Sequence, residues 1–425
     1  MAKKESRASV RERQLAAALR VAAPASCDVC VVGGGAAGLV AAIVAAEAGS
    51  SVVVLERDLE CGRTILATGN GRCNFANVRL DPRRYNDPAF VRSVCGTKWL
   101  DDVLRFFRES GLRWSLEDDR LYPTSRQAAS VRNVLLARAN KTGVTLAPAR
   151  TVTRIEPPTH AGNQASVHFV PQGGAVQSLM ASKVILATGG INALAVDGLG
   201  LRSAPTSPVL CPVACEDSPL FALDGRRVHV QAHLTKAGSF FPSWQERGEV
   251  LFRSYGISGI VSFDLSRRAE AGDLVELDLA PDTSKSDLQQ LVDPFAHGDF
   301  SAGCMDGVLD PAIAAVLERL ARQRWHLAWP ERTKPTTDSA ALIALTKSLP
   351  FVVRGQAQTE QAQVMRGGLA TGQFDSATLC ARDLPWLYAC GEALDIDADC
   401  GGFNLGWAWK SGLVAGSAAG RSNEC

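Results

Sequence analysis

Asp28-Val29-Cys30-Val31-Val32-Gly33-Gly34-Gly35-Ala36-Ala37-Gly38 is a short apolar run that breaks into glycines. Small residues from Leu39 to Glu47 follow at helical spacing, and Gly49 stands where a helix C-terminal glycine belongs. Ser51-Val52-Val53-Val54-Leu55 then reads as a second β-branched strand ending in Glu56-Arg57. Strand, glycine turn, helix, strand and acid come in the order that a βαβ dinucleotide site requires. Gly33 permits the tight turn, Gly35 admits a pyrophosphate where a Cβ would intrude, and Gly38 lets the helix lie close on the sheet. The helix N-terminus offers unpaired N–H groups and a partial positive charge to phosphate. Glu56, at the tip of the second strand, is placed to accept ribose hydroxyls. Its charge disfavours a 2′-phosphate, which argues against NADP in this pocket.

The first motif alone does not separate NAD from FAD; two later stretches do. Val184-Ile185-Leu186-Ala187-Thr188-Gly189-Gly190 reads as a buried strand running into a small-residue turn. Leu387-Tyr388-Ala389-Cys390-Gly391-Glu392 reads as another, followed by Cys400-Gly401-Gly402-Phe403-Asn404-Leu405-Gly406 and a helical tract to Ala419. Strands with glycine ends spread over the whole chain fit an FAD domain that is interrupted and then completed by the C-terminus. In that arrangement the last helix aims its N-terminus at the flavin ring, and Glu392 serves the ribityl chain.

Three longer stretches resemble a known family. Ile65-Leu66-Ala67-Thr68-Gly69-Asn70-Gly71-Arg72-Cys73-Asn74-Phe75-Ala76-Asn77, the pair Gly248–Phe252 and Tyr255–Gly259, and the tract from Cys390 to Gly412 are similar to motifs of the aminoacetone oxidase-like FAD-binding enzymes. That group also includes a flavin-dependent reductase of bile-acid intermediates. The resemblance spans about residues 28 to 416. It implies an α/β fold, a Rossmann-like FAD-binding domain with a glutathione-reductase-like doubly wound sheet, interrupted by an α+β insert domain. It places Gly33, Gly35, Ala37, Gly38, Glu56 and Arg57 on the adenosine half of FAD. Arg63, Asn70, Arg72 and Asn74 fall near the pyrophosphate and flavin. Val152, Ala187, Thr188, Gly189, Gly391, Glu392, Gly402, Asn404 and Leu405 complete the expected cofactor set. The chain departs from the family after Gly190, where Ile191 to Gly198 replaces the usual stretch, at Gly372 to Cys380, and at Ile260, where the family has proline. These departures bear on substrate and turnover rather than on FAD.

Composition narrows the rest. The 425 residues carry a formal net charge of +1, 46% hydrophobic and 21% charged residues, which excludes a disordered chain and gives no basic excess for nucleic acid. The expected partner is a small-molecule substrate, with no nucleic acid and no membrane, in a cytoplasmic protein. Twelve cysteines are too sparse for a disulfide scaffold. Cys27 and Cys30 form a CxxC, but inside a strand they read as buried thiols rather than a redox pair. The six histidines show no metal-site spacing, and no metal is expected.

Residues 1–26 read as a basic N-terminal extension (Lys3, Lys4, Arg7, Arg11, Arg13, Arg20), a solvated tail or short surface helix. The FAD-binding domain is then expected over 27–204 and 351–425, with the insert at 205–350. Within the insert, Arg226–Lys236, Glu249–Arg253 and Leu274–Leu279 read as strands. Ser284–Val292, Ala312–Trp325 and Ser339–Leu349 read as helices. In Arg322–Lys334 a helix end packing Trp325 and Trp329, with arginines in water, is favoured over a nucleic-acid patch. Flavin brings its own redox chemistry, so two enzyme readings stay open: an oxidase passing electrons from an amine or alcohol to oxygen, or a reductase using NAD(P)H as a transient donor to saturate an activated C=C or C=O. A flavin-binding protein without turnover and an RNA-modifying flavoprotein are the alternatives from other classes. The cleft between insert and flavin is the expected active site, and Arg72, Tyr255 and Cys400 are the expected catalytic residues.

Overall fold

The computed structural model describes residues 6–160, 164–191, 196–292, 300–325 and 335–421. Lys3 and Lys4, the segment 192–195 of the altered stretch after Gly190, and His326, Trp329 and Arg332 lie outside the described residues. The chain divides into two compact units, one of residues 1–207 and 364–425, the other of residues 208–363.

The first unit is built on a parallel sheet. Ser26–Val32 pairs on one side with Val52–Leu55 and on the other with Gln177–Leu186. Thr145–Ala147 extends the sheet beyond Val52–Leu55, and Leu384–Ala389 extends it beyond Gln177–Leu186. Their central stretches, Val29–Val32, Val52–Leu55, Val184–Leu186 and Leu387–Ala389, are apolar and buried, as strands covered on both faces must be. The connections leave the first strand in opposite directions, towards residue 52 on one flank and residue 177 on the other. That topological switch point is where an open α/β sheet binds its ligand, beyond the carboxyl ends of the strands. An antiparallel pair, Arg150–Glu156 and Ala165–Pro171, continues from the edge of Gln177–Leu186.

Ala36–Glu47 is a helix with Ala37, Leu39, Val40, Ala41, Ala42, Ile43 and Ala45 all buried. A helix apolar on every side must be enclosed, and here its outer cover is the C-terminal helix Phe403–Gly420. Gly412, Gly416 and Gly420 face it at four-residue spacing. Cβ atoms there would lie 2.6 Å from the Ala37 carbonyl oxygen, 2.4 Å from that of Ala41 and 2.8 Å from the Ala45 Cα. Both sets of residues rise together, so the two helices run parallel with their backbones nearly touching.

The second unit is a closed antiparallel barrel. Its strand order is Val213–Cys215, Gly256–Ser258, Pro242–Arg253, Arg227–Thr235, Leu274–Asp278 and Leu349–Gln356. Helices Lys285–Val292, Pro311–Arg322 and Asp338–Lys347 pack on the same core. Val230, Ala232 and Leu234 point inward, as the alternation of that strand predicts. The return to the first unit comes at Val364 rather than at residue 351. The reason is pairing: Leu349–Gln356 closes the barrel between Leu274–Asp278 and Val213–Cys215.

At the other end of the chain, Arg7–Leu19 is a helix capped by the Ser6 side chain, which accepts from Ser9 N–H. Cys27 and Cys30 are free and buried on the first strand; burial pushes the Cys27 thiol up to about 12 and that of Cys30 well above its usual value, which leaves both inert. No helix among the described residues is long and apolar enough to cross a membrane.

Candidate functional site: two helix N-termini at one edge of the sheet

The glycine turn is held from three sides. Gly33 N–H donates to the Leu55 carbonyl at 2.8 Å, and Gly62 N–H to the Gly34 carbonyl at 2.7 Å. A Cβ on Gly33 would lie 2.3 Å from the Ala187 carbonyl oxygen, and one on Gly38 would lie 1.9 Å from the Gly33 carbonyl oxygen. Gly35 differs from both: its nearest protein neighbour in the Cβ direction is Thr64 Oγ1, at 3.6 Å. The protein leaves that space open. Gly35 also caps Ala36–Glu47 with no side-chain hydrogen bond, so the first N–H groups of the helix face outward without an acceptor from a capping side chain.

Glu56 lies beside the turn. Its Oε2 accepts from Gly34 N–H at 2.6 Å and its Oε1 from Asp58 N–H at 2.7 Å. Each carboxylate oxygen keeps a further lone pair for a hydroxyl donor. Burial holds this carboxyl above its ordinary value, against the two N–H donors that lower it. Arg57 and Arg63 are exposed, and Arg63 pairs with Asp58 at 3.3 Å. Val152 is buried near the start of its strand.

The second N-terminus belongs to Phe403–Gly420. Gly402 caps it at φ 95° with no side-chain hydrogen bond. Because Gly412 is level with Ala37, this helix runs roughly 12 Å past the start of its neighbour at 1.5 Å per residue. Asn74 Oδ1 is buried and has no hydrogen-bond partner, and a Cβ on Gly402 would lie 2.8 Å from it. An orphaned acceptor thus stands beside a helix end rich in donors.

The turn after Leu384–Ala389 is tied to the same helix. Gly391 N–H donates to Ser411 Oγ at 2.9 Å, and Trp407 Nε1 donates to the Gly391 carbonyl at 3.0 Å. Glu392 follows, half-buried, and burial raises its carboxyl to about 7. Ala187, Thr188 and Gly189 leave the end of Gln177–Leu186, and Gly189 takes φ 67°.

Other expected residues are engaged within the protein. The Asn404 amide accepts from Ala398 N–H at 2.8 Å and donates to the Ala398 carbonyl at 2.9 Å, so it fastens the preceding loop. Leu405 is half-buried one residue further on. The Arg72 guanidinium lies 4.8 Å from the centre of the Tyr122 ring and pairs with Glu117 at 3.4 Å. Asn70 is exposed at φ 53°. Cys400 is half-buried two residues before the Gly402 cap. Tyr255 belongs to the second unit, where its hydroxyl donates to Gln358 Oε1 at 3.2 Å.

Sequence reading missed the glycine ridge at 412, 416 and 420, although its four-residue spacing is visible, and it missed Asp397. That carboxylate is fully buried and held by Arg366 through Nε at 3.0 Å and Nη2 at 3.2 Å. Nothing local in the sequence marks a pairing of that kind.

Residues 27–418 match the HI0933-like protein Rossmann domain. The chain belongs to the HI0933-like family. Its members are FAD-binding Rossmann proteins, and this one is an FAD-dependent oxidoreductase. It is similar to the 3-dehydro-bile acid delta(4,6)-reductase of Clostridium scindens, with 31% identity over 412 residues covering 92% of this chain and 98% of that protein. It is also similar to the ribosomal RNA dihydrouridine synthase of Escherichia coli, with 26% identity over 400 residues covering 90% and 96%. In fold it resembles the open conformation of a flavocytochrome c3 fumarate reductase, at a TM-score of 0.51 and 16% identity, over 99% of this chain and 82% of that one.

The HI0933-like site fits FAD. A pyrophosphate needs backbone approach without a Cβ, and the space beside Gly35 supplies it. A flavin pyrimidine edge carries both acceptors and an N–H donor, which the uncapped helix end at Gly402 and the orphaned Asn74 Oδ1 complement.

Proposed function

We propose that this HI0933-like protein is an NAD(P)H-linked reductase that saturates a C=C bond conjugated to a carbonyl in a small organic substrate. The observation that carries the reading is the pair of parallel, uncapped helix N-termini at one edge of the sheet. When bound, FAD supplies the hydride. The chain supplies the rest. Gly33, Gly35 and Gly38 admit the diphosphate, Glu56 takes ribose hydroxyls, and the N-terminus of Phe403–Gly420 sets a positive partial charge where reduction deposits a negative one. Arg72, Tyr255 and Cys400 are the proposed candidates for steadying the substrate carbonyl or delivering the proton that the α-carbon needs.

Two relatives favour reduction over oxidation. By its name, the Clostridium scindens protein reduces double bonds of a 3-dehydro-bile acid, and the Escherichia coli protein saturates uridine in ribosomal RNA. Both reactions add a hydride and a proton across a C=C conjugated to a carbonyl. The higher identity to the first favours a small molecule as substrate.

The test is anaerobic. The yellow protein is mixed with NADH and NADPH in turn, then with oxygen, a cyclic enone and a uridine-containing transcript. Fast bleaching by a nicotinamide and fast reoxidation by the enone are expected. Fast reoxidation by oxygen alone indicates an oxidase, reoxidation by the transcript alone indicates an RNA substrate, and inertness to all indicates a binding protein; each overturns the proposal.

A further inference from the structure

Arg150 opens the strand Arg150–Glu156 and is 4% exposed. A guanidinium that deep is costly unless it is paired. No carboxylate among the described residues pairs with it. Its hydrogen bonds go to carbonyls instead: Nη1 donates to Ala18 at 3.2 Å and to Pro148 at 2.5 Å, and Nη2 donates to Val21. Nε has no partner. Ala18 and Val21 are the end of the N-terminal helix and the turn after it, where unpaired carbonyls and the negative end of the helix dipole gather. The last turn of Arg7–Leu19 therefore stands in for the missing carboxylate.

The backbone beside this lock holds the nucleotide side of the site. Arg150 N–H donates to the Glu56 carbonyl at 2.7 Å, and Ala149 N–H donates to the Asp58 carbonyl at 2.7 Å. Further along the same helix, Gln14 Nε2 reaches Glu60 Oε1 at 3.5 Å, and Glu60 is paired with Arg132 at 2.5 Å. The helix thus holds the segment Glu56–Glu60 directly through Gln14 and indirectly through Arg150, whose side chain it binds and whose backbone bonds the Glu56 carbonyl, and Glu56 is the residue assigned to the adenosine ribose. A loop held on both sides loses less entropy when a ligand orders it.

We infer that Arg150 and the N-terminal helix form a latch that positions the Glu56–Glu60 loop for the adenosine end of FAD. Arg150 is a positioning residue, acting through the loop and not on the ligand. The inference rests on FAD being the cofactor.

Apoprotein of the full chain, of the chain lacking residues 1–24, of Arg150→Gln and of the two changes combined is titrated with FAD, ADP and FMN. A protease site placed between Ala23 and Pro24 allows the helix to be cut away after folding, so that a folding defect is not mistaken for a binding defect. Each single change is expected to weaken FAD and ADP by at least tenfold while leaving FMN, which lacks the adenosine half, within twofold. The combined change is expected to be no worse than the larger single one, because one lock has been removed twice. Arg150→Lys is expected to recover part of the loss. FAD affinity unchanged on removing the helix, equal losses for FMN, or fully additive effects would overturn the latch alone. Failure of the full chain to bind FAD would overturn the cofactor reading with it.

Discussion

Gly35 and Gly38 look interchangeable in the sequence, yet they face different neighbours. A side chain at Gly38 strikes the backbone of its own turn, whereas one at Gly35 meets nothing closer than 3.6 Å. Gly35→Val should therefore fold with a thermal midpoint near the parent's and bind no FAD, while Gly38→Val should lose both; absorption at the flavin band and apoprotein melting separate the two. Glu392 allows a pH test. Its carboxyl rises from 4.5 to about 7 in the folded chain. Between those values the folded state holds a proton that the unfolded state has lost, so this group's contribution to stability falls as pH rises through the window. Glu392→Gln should flatten that part of the apoprotein stability profile, and an unchanged slope would show that Glu392 does not titrate there. At this scale the tight turn at Gly33 and the close approach at Gly38 were legible because they follow from spacing along a few residues. Arg150 and the Asn404 amide were not, since their partners are chosen by folding.

The central contact at the scale of elements is the seam between Ala36–Glu47 and Phe403–Gly420. It fixes both the separation and the register of the two helix N-termini. Gly416→Leu places a side chain against the Ala41 carbonyl, where a Cβ alone would sit at 2.4 Å. Overpacking of this kind costs about 1–3 kcal/mol or more. The expected result is a lower urea midpoint together with weakened FAD binding; a large loss of stability with FAD affinity intact would separate the seam from the site. Three of the six barrel strands, Arg227–Thr235, Pro242–Arg253 in its second half and Leu274–Asp278, and the helices Lys285–Val292, Pro311–Arg322 and Asp338–Lys347 were also readable, since alternation and helical periodicity need only one segment at a time. Closure of the barrel was not. It depends on Leu349–Gln356 finding partners about 75 and about 140 residues upstream, and nothing within one segment marks such pairing.

For the whole molecule, the central claim is that both extremities of the chain build one cofactor site. The parallel sheet sets Leu384–Ala389 two strands from Ser26–Val32, with Gln177–Leu186 between them. The glycine seam then brings the last helix back over the first glycine turn. That convergence was legible from the order of the motifs, whereas the substrate is not, because no motif encodes the shape of a substrate pocket. The most direct measurement is to denature the purified protein and identify the small molecule it releases, for the parent and for Gly35→Val side by side. One FAD per parent chain and none from the variant is the result this account predicts. A parent that stays colourless after incubation with excess FAD, or a variant as fully loaded as the parent, would contradict it.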